Sequence, residues 1–321
     1  MKKCLHCLTA AAVAFAVTTS GTFAQFPSKP VRILVPFPPG GGADATSRIV
    51  SQPLSQALGQ QVLVENRAGA DGAIAAETVI KSAPDGYTLF FGTNTALVAV
   101  PVLRKQPPYD SREAFTPIGL IGRFVFFAYI NPSVPANTVA EFIQYARNNP
   151  GKLNYGSGNS TAIVSTTQLM RLAGIQMVHV PYKGDAPLIA DLLAGRLQFG
   201  MITTATALAL AKDGRLRILA TLLPQRSSLA PDVPTLTEAG LSGVSISPWA
   251  SLLGPAKLPR EIVDRLSRDL NGVLKQPEVR EKLSLQAFEA EGSSPEAMTA
   301  FLAEQIDSWG RAVKDAGIQP D

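Results

Sequence analysis

The sequence predicts an α/β protein with two lobes, and three observations lead to this fold class. From Val31 onward, short β-like runs alternate with helical patterns, and Gly, Pro, Asn or Asp stands at each change of period. Such alternation is typical of βαβ units and parallel sheets. A fresh βα series starts after residue 130, and 321 residues are enough for two medium-sized domains.

The N-terminus has the pattern of a secretory signal peptide. Lys2 and Lys3 precede an apolar run over residues 8–17, which is followed by a small-residue cleavage pattern that ends at Ala24. The run is shorter than the roughly 20 apolar residues that a transmembrane helix needs. We therefore expect residues 1–24 to be removed after Ala24, which would leave a periplasmic protein without a membrane anchor.

The composition predicts a globular protein that binds neither nucleic acid nor metal. Hydrophobic residues make up 46% of the chain and charged residues 17%, which argues against disorder. Lys and Arg are spread singly among acids, so the formal net charge of +4 does not predict nucleic-acid binding. Both cysteines, Cys4 and Cys7, lie in the predicted signal peptide. We expect no cofactor, no metal and a monomer.

The first βα series contains four strand-like runs and two helical patterns. The predicted strands are Val31–Val35, Val62–Val64, Tyr87–Phe91 and Ile118–Ile121, and the predicted helices follow Asp44 and cover Ala73–Lys81. Pro53 lies inside the first helical pattern, where a proline costs about 3 kcal/mol through a lost hydrogen bond and a clash. We therefore expect a kink or a late start in that helix.

A second series follows an apolar and aromatic run at residues 124–130, where we place the first crossing between lobes. Its predicted strands are Leu153–Tyr155, Gln176–Val180, Leu197–Ile202 and Leu216–Thr221, and its predicted helices start at Thr138, Thr161 and Pro187. Beyond Pro259 we expect only helices, packed on the first lobe. The predicted lobes are residues 25–123 with 246–321, and residues 124–245.

A proline- and glycine-rich loop over residues 36–44 joins the first strand to the first helix. Its glycines let the backbone approach a ligand, and the free N–H groups at a helix start favour an anion. Neither the P-loop nor the dinucleotide glycine spacing is present. The alternative is a tight turn in which Asp44 caps the helix. The predicted ligand contacts in this loop are Phe37, Pro38, Gly41, Gly42 and Asp44.

A second glycine-rich loop, residues 156–161, has the same strand-to-helix position in the second series. Ligands collect at the carboxyl ends of strands in open α/β sheets, so the two loops would face each other across a cleft. The alternative is a pair of ordinary loops. Polar groups after three further strands complete a predicted rim. The remaining predicted contacts are Asn94, Ser157, Ser160, Thr161, Tyr182, Lys183, Thr203 and Thr204.

Groups that could perform catalysis are scarce. Outside the predicted signal peptide the chain has one histidine, His179, which lies in a predicted strand and is expected to be structural. Neither a Gly-x-Ser-x-Gly nor a His-Glu-x-x-His motif is present. A serine nucleophile at Ser157 or Ser160 would lack an evident base. The sequence therefore predicts no enzyme.

Five motifs stand in a characteristic order along the chain. They are Val-Pro-Phe-Pro-Pro-Gly-Gly-Gly at 35–42, Val-Glu-Asn-Arg-Ala-Gly-Ala-Asp-Gly at 64–72, Pro-Asp-Gly-Tyr-Thr-Leu at 84–89, Val-Pro-Tyr-Lys-Gly at 180–184 and Pro-Asp-Val-Pro-Thr-Leu at 231–236. Together they resemble the Bug family, the solute-binding receptors of tripartite tricarboxylate transporters. The resemblance implies a type II periplasmic binding fold in which loops 37–44, 157–161 and 182–185 bind a carboxylate in a central cleft.

The resemblance also implies the partners, which are a small organic acid and the permease subunits of a transporter. Asn159, Ala162 and Ile163 depart from the family's usual second-lobe loop, and the lack of an Arg cluster favours a mono- or dicarboxylate. The predicted function is capture of a small carboxylate and its delivery to the transporter. The alternatives are a ligand-presenting sensor subunit of a two-component system and, third, an enzyme acting on a small acid.

Overall fold

The computed structural model describes residues 26–182, 184–203, 205–244, 248–315 and 319–320. The predicted signal peptide, Lys183 and Thr204 therefore lie outside the described residues. Within the described ranges, no helix combines the length and the apolar character that crossing a bilayer requires. Two separate β-sheets, each covered by helices, confirm the predicted two-lobed α/β architecture.

The strands alternate with helices over most of the chain. The strands are β1 Val31–Val35, β2 Val62–Asn66, β3 Thr88–Thr93, β4 Phe115–Phe124, β5 Phe127–Ile130, β6 Asn154–Ser157, β7 Val178–Pro181, β8 Phe199–Ile202, β9 Arg217–Thr221, β10 Trp249–Pro255 and β11 Phe288–Ala290. The α-helices are α1 Gly42–Leu58, α2 Ala73–Ile80, α3 Val100–Leu103, α4 Ser111–Ala114, α5 Val139–Asn148, α6 Ser160–Ala173, α7 Asp185–Leu193, α8 Ala205–Lys212, α9 Arg260–Leu274, α10 Pro277–Ser284 and α11 Pro295–Asp315.

The two sheets share one arrangement of strands. The first sheet has the order β11-β4-β10-β3-β1-β2 and the second the order β7-β6-β8-β5-β9. In each sheet three neighbouring strands are parallel, and a strand that enters from the other half of the chain, β10 or β5, lies antiparallel between its neighbours. The carboxyl ends of the parallel strands therefore share one edge of each sheet.

The interior strands of each sheet are buried on both faces. In β1, Ile33 and Val35 face a core formed with α1 and α9, whereas Leu34 faces the core formed with α2 and α11. Alternation along a strand places successive side chains on opposite faces, so both faces need a helical cover. In the second sheet, Ala128 packs towards α5 and α6, and Phe127 packs towards α7.

The structure contradicts one expectation for the secondary structure and excludes two of the alternatives. Helices are not alone after Pro259, because β11 pairs with β4 at the sheet edge. The helix α1 starts at Gly42 and continues through Pro53, so the late start does not occur. Burial of Val50 and Leu54 on both sides of the proline holds the helix against the core. Asp44 is not the N-cap of α1, since Gly41 occupies that position.

Candidate functional site

Asn94 connects the two lobes directly. It follows β3, and its Nδ2 donates a hydrogen bond of 2.8 Å to Oγ1 of Thr161 in the first turn of α6. Its Oδ1 accepts the Trp249 N–H at 3.4 Å. Asn94 is 1% exposed and Thr161 2% exposed, so water does not compete for this bond. Since β3 and α6 belong to different lobes, two predicted site residues meet across the gap between the sheets.

The packing around Asn94 reinforces this connection. Residues 95–99 form a buried π-helical turn, a geometry that is often found at functional sites. Val164 of α6 packs into the first lobe's core, in the cluster that contains Ala96 and Leu302. The N-terminal half of α6 thus lies against the first lobe, and the start of this helix faces the carboxyl-end edge of the first sheet.

Asp44 braces the first-lobe loop through two hydrogen bonds. The Gly40 N–H donates to its Oδ2 at 3.0 Å, and Arg48 Nε donates to its Oδ1 at 3.0 Å. Burial alone would raise the pKa of Asp44, but these hydrogen bonds and the Arg48 charge outweigh burial and lower it. The carboxylate is therefore ionised and fully engaged within its own loop. Ligand contact by its side chain stays a prediction.

The other predicted residues of this loop differ in exposure. Pro38, Gly41 and Gly42 are exposed, and Phe37 is partly buried. The Phe37 carbonyl accepts a hydrogen bond of 3.0 Å from the side-chain amide of Asn66, which ties the loop to the end of β2. The exposed Gly41 and Gly42 stand at the N-terminus of a 17-residue helix, where backbone N–H groups are accessible to an anion.

The second-lobe loop is packed far more tightly. Asn159 caps α6, because its Oδ1 accepts the Ala162 N–H at 2.9 Å, and Ser160 is the first helical residue. A Cβ at Gly158 would lie 2.5 Å from Oδ1 of Asp185 and 2.7 Å from the carbonyl carbon of Gly184. Glycine is therefore required at 158 so that the loop can approach the start of α7.

Ser157 has a partner that the sequence did not indicate. Its hydroxyl lies 2.6 Å from Nε2 of His179, in the neighbouring parallel strand. The expectation that a serine here would lack a base is therefore wrong. The ring of His179 also stacks on Tyr155, with a centroid distance of 4.9 Å. Burial lowers the pKa of His179, which favours the neutral imidazole.

Asp185 contrasts with Asp44. Its Oδ2 accepts hydrogen bonds from the N–H of Thr203 at 3.3 Å and from the Thr203 hydroxyl at 3.2 Å. Its buried Oδ1 has no hydrogen-bond partner among the described residues. Burial raises the pKa of Asp185, although the Thr203 hydrogen bonds act in the opposite direction. Thr203, a predicted site residue, thus holds this carboxyl beneath the glycine-rich loop.

Tyr182 is engaged by its own lobe. Its hydroxyl donates a hydrogen bond of 2.6 Å to Oδ2 of Asp191, and its backbone N–H donates to the carbonyl of Ser157 at 2.9 Å. Burial and the hydrogen bond to the Asp191 carboxylate raise the pKa of Tyr182 to about 12. The hydroxyl is committed to Asp191, so a ligand would meet the ring or the backbone here.

Two further observations concern alternative sites. Among the residues that the structure describes, no group of three or more His, Cys, Asp or Glu side chains is placed to bind a metal ion. A surface cavity of about 560 Å³ lies on the second lobe between α8, β9 and residues 229–233. None of its lining residues belongs to the predicted site, so it is separate from the glycine-rich loops.

The sequence missed the role of His179 at this site and indicated Asp185 only as part of loop 182–185. His179 was taken as structural because the register that places it beside Ser157 joins strands 22 residues apart. Asp185 follows the Tyr-Lys-Gly motif, but its burial depends on how the loop at 158 packs over it. The one sequence signal for Asp185 was its position directly after Gly184, the last residue of the Val-Pro-Tyr-Lys-Gly motif.

Comparisons with known proteins add to this geometry. The family model for the tripartite tricarboxylate transporter family receptor matches residues 46–318. The protein BugT of Bordetella pertussis is 33% identical, over 92% of this chain and 91% of its own length. These matches agree with the resemblance that the five sequence motifs carry.

Solved structures give the same result. An R. palustris protein solved with adipate is 32% identical, with a TM-score of 0.82 over 92% of this chain and 100% of the other. MatC from Rhodopseudomonas palustris, solved with bound malate, is 28% identical, with a TM-score of 0.77 over 90% of this chain and 100% of the other. Other structures of similar fold include periplasmic binding proteins.

Proposed function

Because this chain belongs to the receptor family of tripartite tricarboxylate transporters, we propose that it captures a small dicarboxylate in the periplasm and delivers it to the permease subunits of such a transporter. The observation that carries the proposal is the buried hydrogen bond between Asn94 and Thr161. It brings the strand ends of the two lobes together, with glycine-rich loops next to it. The malate and adipate of the two solved relatives support the ligand class.

The chemistry of the proposed site suits a carboxylate. Exposed N–H groups at the start of α1, together with the hydroxyl of Ser160, would donate hydrogen bonds to its oxygens. Contacts from both lobes would form only when the lobes are closed. A ligand that makes more contacts in the closed state shifts the open–closed equilibrium towards closure.

The proposal also covers the lobe boundaries, the export of the chain and its oligomeric state. The lobes are residues 25–123 with 246–321 and residues 124–245, a division supported by the sheet to which each strand belongs. The chain is exported with cleavage after Ala24 and works as a monomer without cofactor. The sensor alternative requires the same capture of ligand, so it differs only in the membrane partner.

An enzymatic role is not part of the proposal, even though Ser157 and His179 lie side by side. Within the described ranges, no carboxylate hydrogen-bonds the His179 ring in the way that orients the base of a catalytic triad. A Ser157 hydroxyl that is hydrogen-bonded to a neutral His179 is sufficient for ligand binding.

Isothermal titration calorimetry with malate and adipate tests the proposal. The exported chain is first unfolded, dialysed and refolded to remove any retained ligand. We expect one site per chain for at least one acid, and no heat from the corresponding diamide, which has no charge. Saturation at 100 times Kd should stabilise the fold by about 2.7 kcal/mol. Absence of binding to either acid, with the refolded protein intact, would reject the proposed ligand class.

A matched pair of variants tests the inter-lobe contact. Thr161→Val removes the hydroxyl that accepts from Asn94 and leaves a buried amide unpaired, a loss of about 1–3 kcal/mol. We expect ligand affinity to fall about tenfold. Thr166→Val lies on the same helix and removes a buried hydroxyl that has no partner among the described residues. It should leave affinity unchanged, and equal effects of the two variants would argue against the contact's role in closure.

A further inference from the structure

The hydroxyl of Ser157 has a single described partner. It stands at the end of β6, at the start of the second-lobe loop, and the 2.6 Å contact to Nε2 of His179 is its one hydrogen bond within the described ranges. A serine hydroxyl has one proton to donate and two lone pairs that accept. The direction of the contact to His179 therefore decides whether the Ser157 proton is free for another group.

The tautomer of His179 sets this direction. In a neutral imidazole one ring nitrogen donates and the other accepts. If the proton is on Nδ1, Nε2 accepts a hydrogen bond from the Ser157 hydroxyl, and the serine presents only lone pairs to the ligand, which repel a carboxylate. If the proton is on Nε2, the serine accepts from it and keeps its own proton for an anion. The same two side chains thus either oppose or favour a carboxylate.

We propose that His179 is a positioning residue: its Nε2–H donates to Ser157 Oγ and thereby holds the serine hydroxyl as a donor to the ligand carboxylate. This assignment rests on the proposed function. Ser157 is then the group that touches ligand, and His179 acts through it. A hydroxyl fixed as a donor favours the anion over its protonated or amide form, because a hydrogen bond to a charged oxygen is stronger than one to a neutral carbonyl.

The surroundings of His179 suit this role. The Tyr155 ring stacks on the imidazole at 4.9 Å and fixes its plane towards Ser157. Strand β7 is the edge strand of the second sheet, and His179 is exposed on one side, so water is available to the second ring nitrogen, whereas its Nε2 side is partly buried against Ser157. Tyr155 and Ser157 face the ring from β6, and among the described residues no charged side chain forms an ion pair with it. Since burial lowers the pKa of His179, the ring is neutral at pH 8 and its tautomer matters.

Nitrogen-15 NMR of the exported chain reads the tautomer directly. His179 is the one histidine outside the predicted signal peptide, so a protein prepared without a histidine tag gives a single imidazole pattern. At pH 8, without ligand, we expect the pattern of the Nε2–H tautomer. The Nδ1–H pattern would overturn the assignment. This measurement needs no substitution and no ligand, so it is independent of whether the proposed function holds.

A double-mutant cycle tests the action through Ser157, with malate and adipate as probes. Ser157→Ala removes a hydrogen bond to a charged group and should weaken binding about 10- to 100-fold. His179→Phe should weaken binding about fivefold or more, yet it should cost nothing further in the Ser157→Ala background. His179→Gln, whose amide can donate to Ser157, should recover most of the affinity. Losses that simply add in the double variant would overturn the proposal.

Controls separate folding from positioning. Val178→Thr changes the exposed neighbour of His179 on the same strand and should leave both affinity and the melting temperature unchanged. If His179→Phe does not fold, His179→Gln and the tautomer measurement decide the question. If wild-type protein binds neither acid, the proposed ligand class fails, whereas the NMR pattern still supports or overturns the role of His179.

Discussion

The two glycine-rich loops occupy equivalent places in their lobes, yet the acidic residues next to them differ: the pKa of Asp44 is lowered, and that of Asp185 is raised. In the first-lobe loop, Asp44 is paired with Arg48 and the Gly40 N–H, and its pKa is lowered. Beneath the second-lobe loop, Asp185 at the start of α7 has no cation in contact among the described residues, and burial raises its pKa. The Asp44 carboxylate stabilises an exposed loop by a hydrogen bond within it, whereas the Asp185 carboxyl lies beneath a tightly packed loop.

The difference indicates that the two lobes contribute to ligand binding in different ways. The first-lobe loop has exposed glycines and little packing above them: a Cβ at Gly41 would meet only the Pro38 carbonyl, at 3.7 Å. The second-lobe loop is fixed by the Asn159 cap, the Ser157–His179 contact and the approach of Gly158 to Asp185. We infer that the second lobe presents rigid hydrogen-bond donors, while the first lobe closes over the ligand.

We expect the largest effect from adding a single methyl group to the second-lobe loop. Gly158→Ala places a Cβ within 3.0 Å of three atoms of residues 184 and 185, two of them in the backbone. Such overpacking costs about 1–3 kcal/mol of unfolding free energy and should displace the loop. We expect ligand affinity to fall at least tenfold. Urea unfolding and calorimetry measure the two effects.

Gly41→Ala is the matched change in the first-lobe loop. Its backbone φ of −83° is open to any residue, and no atom lies closer than 3.7 Å to the added methyl group. The free energy of unfolding should change by less than about 0.5 kcal/mol. If Gly158→Ala is as mild as Gly41→Ala, the second-lobe loop is not the rigid partner that the comparison requires.

Asp44→Asn tests the acid that braces the first loop. The folded-state pKa is below the ordinary value of 3.8, so ionised Asp44 stabilises the fold at neutral pH. We expect Asp44→Asn to lower the unfolding free energy by about 1–2 kcal/mol at pH 7. The penalty should persist down to about pH 4 and disappear only as the pH falls through the folded-state pKa. A penalty that vanishes well above pH 4 would contradict the ion pair.

Asp185→Asn should have a smaller effect of opposite sign. A carboxyl whose folded-state pKa is raised destabilises the fold at neutral pH, and the cost declines as the pH falls towards 3.8. The neutral amide should therefore raise the unfolding free energy by up to about 1 kcal/mol at pH 7. The gain should shrink towards pH 4. Destabilisation at pH 7 would show that Asp185 is stabilised as a carboxylate by groups not identified above.

Sequence patterns predicted most of the fold because its parallel strands and amphipathic helices have regular periods. Three strands were missed. Every residue of Phe127–Ile130 and of Trp249–Pro255 is buried, which leaves no alternation to read, and Phe288–Ala290 is only three residues long. The helix Ala205–Lys212 was also missed, since alternating Ala and Leu gives no clear period of 3.6. These elements are recognisable only from the neighbours that they pack against.

At the candidate site, sequence predicted the loops better than the roles of their side chains. Glycine content and position between strand and helix identified residues 36–44 and 156–161. Whether Tyr182 faces a ligand or Asp191, and whether Ser157 has a base, depends on pairings between residues 9 and 22 positions apart. Those distances are fixed by sheet register and helix packing, which a local pattern does not specify.

A crystal structure of the refolded protein with malate or adipate tests the central claim most directly. We expect one carboxylate group of the ligand to lie between residues 37–44 and residues 157–161, in contact with groups from both lobes. A ligand that touches one lobe alone, or that occupies the cavity beside α8 on the second lobe, would contradict it.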